Sequence, residues 1–337
     1  MTRKNAIPPP NNQFKFAMRQ FRARMFFITP LGLLGTIAGL WAVVIRFLRN
    51  TIGIRFGLKK LIQYDTALST KFAEKQLSPF LEGDKYNFDG IYLPTPSNRG
   101  DMYGLLCVIK DVLGVYLLNN DNYHWKYVDK LDRKLVEGVY CYSKPEIACE
   151  ISINYGDTVL DIGAWMGDFS AYACKKGATV YAFEPLPSTL VLLEKTVMYN
   201  SDSPGKIIIV PLGAGSETKT MDFMEHLHFP APSGLITDDS TTIDTMKKIS
   251  CAFVKLDDWV LANGISKIDF IKADIEGFER DMLKGATNIL KQHKPKLSIC
   301  TYHKQDDPEA LTNIILEANP EYNIIYRSMK LFAWVPE

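Results

Sequence analysis

The chain has 337 residues, 47% of them hydrophobic and 23% charged. That is enough apolar material to bury a sizeable core, which excludes a disordered chain, and enough length for one large or two moderate domains. The net charge of +1 hides an asymmetry: the first 64 residues hold 11 Lys or Arg and no Asp or Glu, so the rest carries 28 basic and 38 acidic residues, a balance of −10. A basic head on an acidic body is expected to meet an anionic partner, lipid headgroups before nucleic acid, because an uncharged run interrupts the basic residues. The six cysteines, at 107, 141, 149, 174, 251 and 300, show no C-x-x-C and no regular spacing. This argues against a disulfide scaffold or a zinc site and fits a reducing compartment.

Residues 1–13 read as an unstructured lead. Phe26 to Ile45 is an uncharged run of 20 residues, the length that crosses a bilayer core. Basic residues flank it on both sides, so charge does not choose an orientation. Before it, Lys15, Arg19 and Arg22 recur at helical spacing opposite Phe14, Met18, Phe21 and Met25, as on a membrane-surface helix. Gly35 and Gly39 form a small-xxx-small pair. The alternative is a buried helical hairpin broken at Pro30 that joins two copies of the chain into a homo-oligomer. No small-residue cleavage site follows, which argues against a signal peptide. We expect a basic N-terminal region over 1–64 with an apolar helix at 26–45, and membrane contact through residues 14–60. Residues 65–150 read as a mixed helical and β cap with short aromatic segments between turn residues.

From residue 156 strands and helices alternate. The predicted order is strand Thr158–Gly163, helix 168–176, strand Ala178–Pro185, a helix with Pro187 in its first turn, and strand Lys206–Leu212. There follow strand Ile268–Asp274, helix 277–291 with Phe278, Met282 and Ala286 on one face, and strand Lys296–Tyr302. Asp307-Pro308 opens a helix with Leu311, Ile314, Ile315 and Ala318 at i, i+3, i+4, i+7. Tyr322–Tyr326 and Leu331–Val335 read as an antiparallel pair. This is an α/β fold: a mostly parallel sheet covered on both faces, with ligands at the carboxyl ends of its strands.

Four motifs fall at those ends. The first is Asp161-Ile-Gly163-Ala164-Trp-Met-Gly167-Asp-Phe169, a glycine turn between strand and helix N-terminus. Its glycines are four apart and lack the G-x-G-x-x-G of a dinucleotide site, while Asp161 suits a positively charged cofactor. An ordinary strand–helix turn would look similar. The second is Glu184-Pro185, 21 residues beyond Gly163, where a carboxylate can accept ribose hydroxyls of NAD or S-adenosylmethionine alike. The third is Lys272-Ala-Asp274-Ile-Glu276-Gly277-Phe-Glu, two carboxylates and a lysine where substrate should sit, unless they only cap the next helix. The fourth is Tyr302-His303, on the same rim as Asp274.

These stretches resemble the FkbM family of methyltransferases. The matching segments are GDTVLDIGAWMGDFS, VYAFEP, IDFIKADIEGFERDMLKGA and PKLSICTYHK, in order and over roughly residues 150 to 336. The resemblance implies a methyltransferase domain over 151–337 with a Rossmann-like seven-stranded sheet containing one antiparallel strand. It implies S-adenosylmethionine as cofactor, held by Asp161, Gly163, Ala164, Gly167, Phe169, Glu184 and Pro185, and Asp274 near the transferred methyl. Two departures stand out: the family often has Asn where Trp165 stands, and the stretch after the third strand, with His226 and His228, is longer than expected.

The expected function is therefore O-methylation of a hydroxyl on a sugar, glycan or lipid-linked acceptor. Asp274 or His303 would be the base and Glu276 would orient the acceptor. No metal site is expected, since Asp274 and His303 alone are too few ligands. The donor is intracellular, which places the catalytic domain in the cytoplasm, at a membrane. The rival readings are an NAD-dependent oxidoreductase, which the missing G-x-G-x-x-G disfavours, and a membrane-anchored non-catalytic binding module.

Overall fold

The computed structural model describes residues 74, 77–96, 101–102, 104–105, 142–144, 149–226, 234–235, 246–327 and 330–336. The apolar run 26–45, the basic region 14–60 and much of the 65–150 segment lie outside the described residues. Among the described residues no helix is long and apolar enough to cross a membrane.

In chain order, a 3-10 turn at Ser78–Phe80 leads into β1 (Leu81–Glu82), β2 (Lys85–Phe88) and β3 (Ile91–Pro94), a small antiparallel sheet. β4 (Tyr142–Lys144) and β5 (Cys149–Ile151) pair next. The alternating part runs β6 (Thr158–Ile162), α1 (Asp168–Lys175), β7 (Thr179–Phe183), α2 (Pro187–Tyr199), β8 (Lys206–Val210). Then come β9 (Gly213–Gly215), β10 (Lys219–His226), β11 (Gly234–Leu235) and β12 (Met246–Lys255). The chain continues through α3 (Leu256–Ala262), β13 (Phe270–Ala273), α4 (Glu279–Gly285), α5 (Thr287–Gln292), β14 (Lys296–Cys300), α6 (Asp307–Ala318), β15 (Asn323–Arg327) and β16 (Lys330–Trp334).

The main sheet has seven strands in the order β15-β16-β14-β13-β6-β7-β8, with β16 alone antiparallel to the rest. This is a Rossmann-like α/β fold. Strand side chains alternate between faces, so Val159 and Phe270 enter one core while Leu160 and Ile271 enter the other. Both faces are buried, which is why these strands read as nearly continuous apolar runs. The chain leaves β6 toward β7 and β8, then returns to β13 on the other side of β6. That reversal opens a crevice at the carboxyl ends of β6 and β13.

The first core is closed by β1–β3, which lies over α1 and α2. Asn200 at the end of α2 accepts the Tyr92 N–H at 3.0 Å and donates to the Tyr92 carbonyl at 2.6 Å. Tyr199 donates to Asp84 at 2.6 Å.

Two elements differ from the sequence expectation. The helix expected over 277–291 is two helices that meet at Ala286. A Cβ on Gly285 would stand 1.9 Å from the Gly215 carbonyl, so β9 passes directly against the helix end. The carboxylate of Asp257 accepts the N–H groups of Asn288 and Ile289 at 2.9–3.1 Å and caps the second helix independently. The stretch after β8, which is longer than the family resemblance implies, forms a four-stranded sheet in the order β11-β10-β12-β9.

Candidate active site

At the crevice, Asp161 on β6 and Lys272 on β13 stand opposite each other in register and are both buried. Lys272 Nζ lies 2.9 Å from Asp161 Oδ1 and donates to the Gly163 carbonyl at 2.7 Å. Ser170 donates to the other Asp161 oxygen at 2.6 Å. Burial alone would depress the Lys272 ammonium, but Asp161, Asp168 and Asp274 outweigh it and hold it above its ordinary value. The pair therefore ties β6, β13 and the loop after β6 together from beneath.

That loop turns through left-handed backbone at Gly163 (φ 77°), Trp165 (φ 49°) and Gly167 (φ 88°). At Gly163 a Cβ would meet the Asp274 carbonyl at 2.2 Å, so only glycine lets the loop cross the end of β13. At Gly167 a Cβ would meet Leu193 at 2.6 Å, a constraint of α1 packing on α2. Left-handed backbone is unusual for a bulky residue such as Trp165, and Asn adopts it far more readily. The Trp165 indole is held by Gly104, where a Cβ would stand 3.0 Å from the ring.

Above the loop lies an open cleft enclosing about 570 Å³ including its mouth. Gly163, Glu184, Pro185, Asp274 and Glu276 line it. Leu186, Leu212, Phe223, Phe253 and Phe278 make its apolar walls, and the sequence reading missed them. Phe223 and Phe253 come from β10 and β12, with ring centroids 5.4 Å apart. Asp161, Ala164, Gly167, Phe169 and His303 are not among the lining residues. Phe169 is buried in the first core, 5.9 Å from the Phe270 ring.

Glu184 is buried, and its two oxygens accept the N–H groups of Leu186 at 2.9 Å and Trp165 at 3.0 Å. Burial raises its proton affinity; the bonds from Leu186, Thr189 and Trp165 and the charge of Lys272 offset part of the rise.

On the opposite side of the cleft, Asp274 accepts a hydrogen bond from the Tyr302 hydroxyl at 2.7 Å. Burial would raise the Asp274 carboxyl, but Lys272, His303, Lys330 and Tyr302 together hold it below its usual range. Glu276 sits at φ 53° in a tight turn with Gly277 at φ 100°. Its side chain is 46% exposed at the cleft rim; the partial burial of its carboxyl, with Asp274 and Glu279, raises it to about 7 against the pull of His303.

His303 stands behind these two, its side chain only 7% exposed. Its Nε2 is 3.5 Å from both Asp274 Oδ1 and Glu276 Oε2, and its Nδ1 is 2.8 Å from Glu279 Oε1. Burial would lower the imidazole, but the carboxylates, Glu279 first, raise it to about 9. Asp274, Glu279 and His303 bring potential ligand atoms within 4.8 Å of one another. Asp274 and Glu279 take opposite nitrogens of the ring, and Glu279 adds a third potential ligand to the two that the sequence offered.

Residues 161–325 match the family model described as the methyltransferase FkbM domain. Over that stretch the chain is similar to FkbM methyltransferases. It is 29% identical over 163 residues to the hexuronic acid methyltransferase AglP of Haloferax volcanii, covering 48% of this chain and 62% of that protein. It is 28% identical over 159 residues to the 31-O-demethyl-FK506 methyltransferase FkbM of Streptomyces tacrolimicus, covering 40% of this chain and 61% of that protein. The chain thus spans less than two thirds of the length of either relative. Among solved structures, methyltransferase FkbM from Methylobacillus flagellatus KT aligns with a TM-score of 0.44 at 22% identity, covering 79% of this chain and 59% of that one.

Proposed function

We propose that the FkbM-like domain transfers a methyl group from S-adenosylmethionine to a hydroxyl of a sugar, glycan or lipid-linked acceptor. The observation that carries this reading is a cleft lined by Gly163 and Glu184 on one side and Asp274 and Glu276 on the other. Its chemistry fits the cofactor. A carboxylate suits ribose hydroxyls, apolar walls suit a flat base, and two carboxylates suit a sulfonium. Glu184 would hold the ribose, with its carboxylate kept in place by Leu186 and Trp165. Gly163 leaves room beside the Asp274 backbone, and Pro185 and Leu186 would border the base. When bound, S-adenosylmethionine supplies an electrophilic methyl group on a good leaving group, so alignment contributes much of the rate.

The sequence reading gave the acceptor's proton to Asp274 or His303. The geometry favours Glu276, because His303 does not line the cleft while Glu276 does. A base is most effective when its proton affinity is near the working pH, as Glu276's is. Asp274, held low and oriented by Tyr302, is suited to positioning the hydroxyl. A hexuronic acid methyltransferase among the relatives favours a sugar as acceptor. The basic, uncharged-run head points to an anionic membrane surface as the place of work.

Calorimetry on the full chain tests the cofactor. S-adenosylhomocysteine should bind, and Glu184→Ala should weaken it about tenfold, the loss of a charged hydrogen bond to a hydroxyl. Binding of NAD with no binding of S-adenosylhomocysteine would overturn the reading in favour of an oxidoreductase.

A further inference from the structure

The run Lys272 to Glu279 contains an acid that the methyl-transfer reading does not use. Glu279 opens α4 and is wholly buried. Its Oε1 accepts the Ile275 N–H at 3.0 Å and lies 2.8 Å from His303 Nδ1. Its Oε2 is buried and accepts no hydrogen bond among the described residues. A backbone-capping role explains the Ile275 bond, but an uncharged amide would serve there equally well. It does not explain a buried carboxylate placed against an imidazole.

The three acids around His303 are arranged in two layers. Asp274 and Glu276 face Nε2 on the cleft side, and Glu279 faces Nδ1 on the buried side. Tyr302, just beyond β14, lies tilted against the ring with centroids 4.2 Å apart and donates to Asp274. Lys272 on β13 and Lys330 on β16 act on Asp274 and on the buried Cys300 of β14. Glu279 also spans the turn that aims Glu276: it binds the backbone just before that residue, while its imidazole partner touches the Glu276 carboxylate. Without a cation between them, the two cleft carboxylates would repel each other.

We propose that Glu279 is a positioning residue: through Nδ1 it keeps His303 as a fixed imidazolium whose Nε2 holds Asp274 and Glu276 side by side in the cleft. The inference rests on the methyl-transfer reading for its purpose but not for its test. His303 is then a buried counter-charge rather than a base. Glu279 acts on the reaction by holding in place the His303 charge that faces both cleft carboxylates.

The test is an NMR titration of the His303 imidazole in the full chain, its signal identified by its loss in His303→Gln. In the wild type the imidazole should titrate near 9. In Glu279→Gln, which keeps the capping acceptor but not the charge, it should titrate at least one unit lower, and Glu279→Asp should restore most of the difference. S-adenosylhomocysteine affinity should change less than threefold, because Glu279 does not line the cleft. In kinetics, the alkaline limb of kcat/KM, which follows the His303 charge, should move down in pH by the same unit or more, while the acidic limb stays in place. An unchanged His303 titration in Glu279→Gln overturns the proposal. Should that variant not fold, His303→Gln reports instead: its acidic limb should move to higher pH, and an unmoved limb overturns the proposal. A shifted titration in a protein that methylates no hydroxyl supports the Glu279 pairing and sinks the methyl-transfer reading, so the two failures are distinct.

Discussion

Asp161 and Asp274 end neighbouring strands of one sheet, two carboxylates of equal length, and they meet different fates. Asp161 is sealed beneath the loop by Lys272 and Ser170. Asp274 opens onto the cleft. Burial with a full set of partners makes the first a strut, while partial exposure leaves the second able to touch a ligand. Glu276 is the third acid and the one whose environment tunes it to neutral pH. The sign of its pH dependence follows from the shifts. Glu276, raised to about 7, is a protonated acid below that pH and cannot accept a proton. His303, raised to about 9, loses its charge above that pH. Methyl transfer should therefore show kcat/KM rising up to about 7 and falling beyond about 9. Glu276→Gln should lower kcat by roughly 10²- to 10⁴-fold, the usual contribution of a general base, with cofactor affinity little changed. Turnover that is flat from pH 5 to 10, or an unimpaired glutamine variant, would remove Glu276 from the mechanism.

At the scale of elements, β6 and β13 are joined by more than their ladder. The Asp161–Lys272 pair crosses between them, and its lysine also binds the carbonyl of Gly163 in the loop above. Removing one member of a buried, hydrogen-bonded pair leaves the other charge uncompensated, at a cost of ~3–5 kcal/mol. Lys272→Met should lower unfolding stability by about that amount. It should also weaken S-adenosylhomocysteine binding through the loosened loop, as urea denaturation and calorimetry would measure. A loss below about 1 kcal/mol would mean the pair relaxes into water and holds nothing. The helix break at Ala286 belongs to the same scale. Apolar positions 282, 283, 289 and 290 continue a helical period, so nothing local announced the bend. Asp257 and Gly215, both distant in sequence, impose it. The strands β10 and β12 were legible in part: Met221 and Phe223 alternate with Thr220 and Asp222 in the two-residue period of a half-buried strand.

For the whole molecule, a sheet buried on both faces leaves one rim for chemistry, the carboxyl ends on either side of the β6/β13 reversal. β1–β3 adds a cover over α1 and α2, and β9–β12 supplies the aromatic wall of the cleft. The basic head lies outside the described residues and sets an expectation about location, not about the reaction. Deleting residues 1–64 should shift the protein from the membrane fraction to the supernatant and leave methyl transfer to a free acceptor intact. An unchanged membrane fraction would show that the head is not the anchor.

What the sequence determined by itself was the architecture and the rim. Strand and helix periods and the Gly163, Glu184 and Asp274–Glu279 motifs are local signals, each carried by a few consecutive residues. Only the tertiary structure decided which acids face ligand, which are struts and which serve another side chain. Contacts and exposure depend on neighbours from other elements: Lys272 for Asp161, Tyr302 for Asp274, and Glu279 for His303. Those neighbours lie on different segments, and the chain must fold before their fields act on one another.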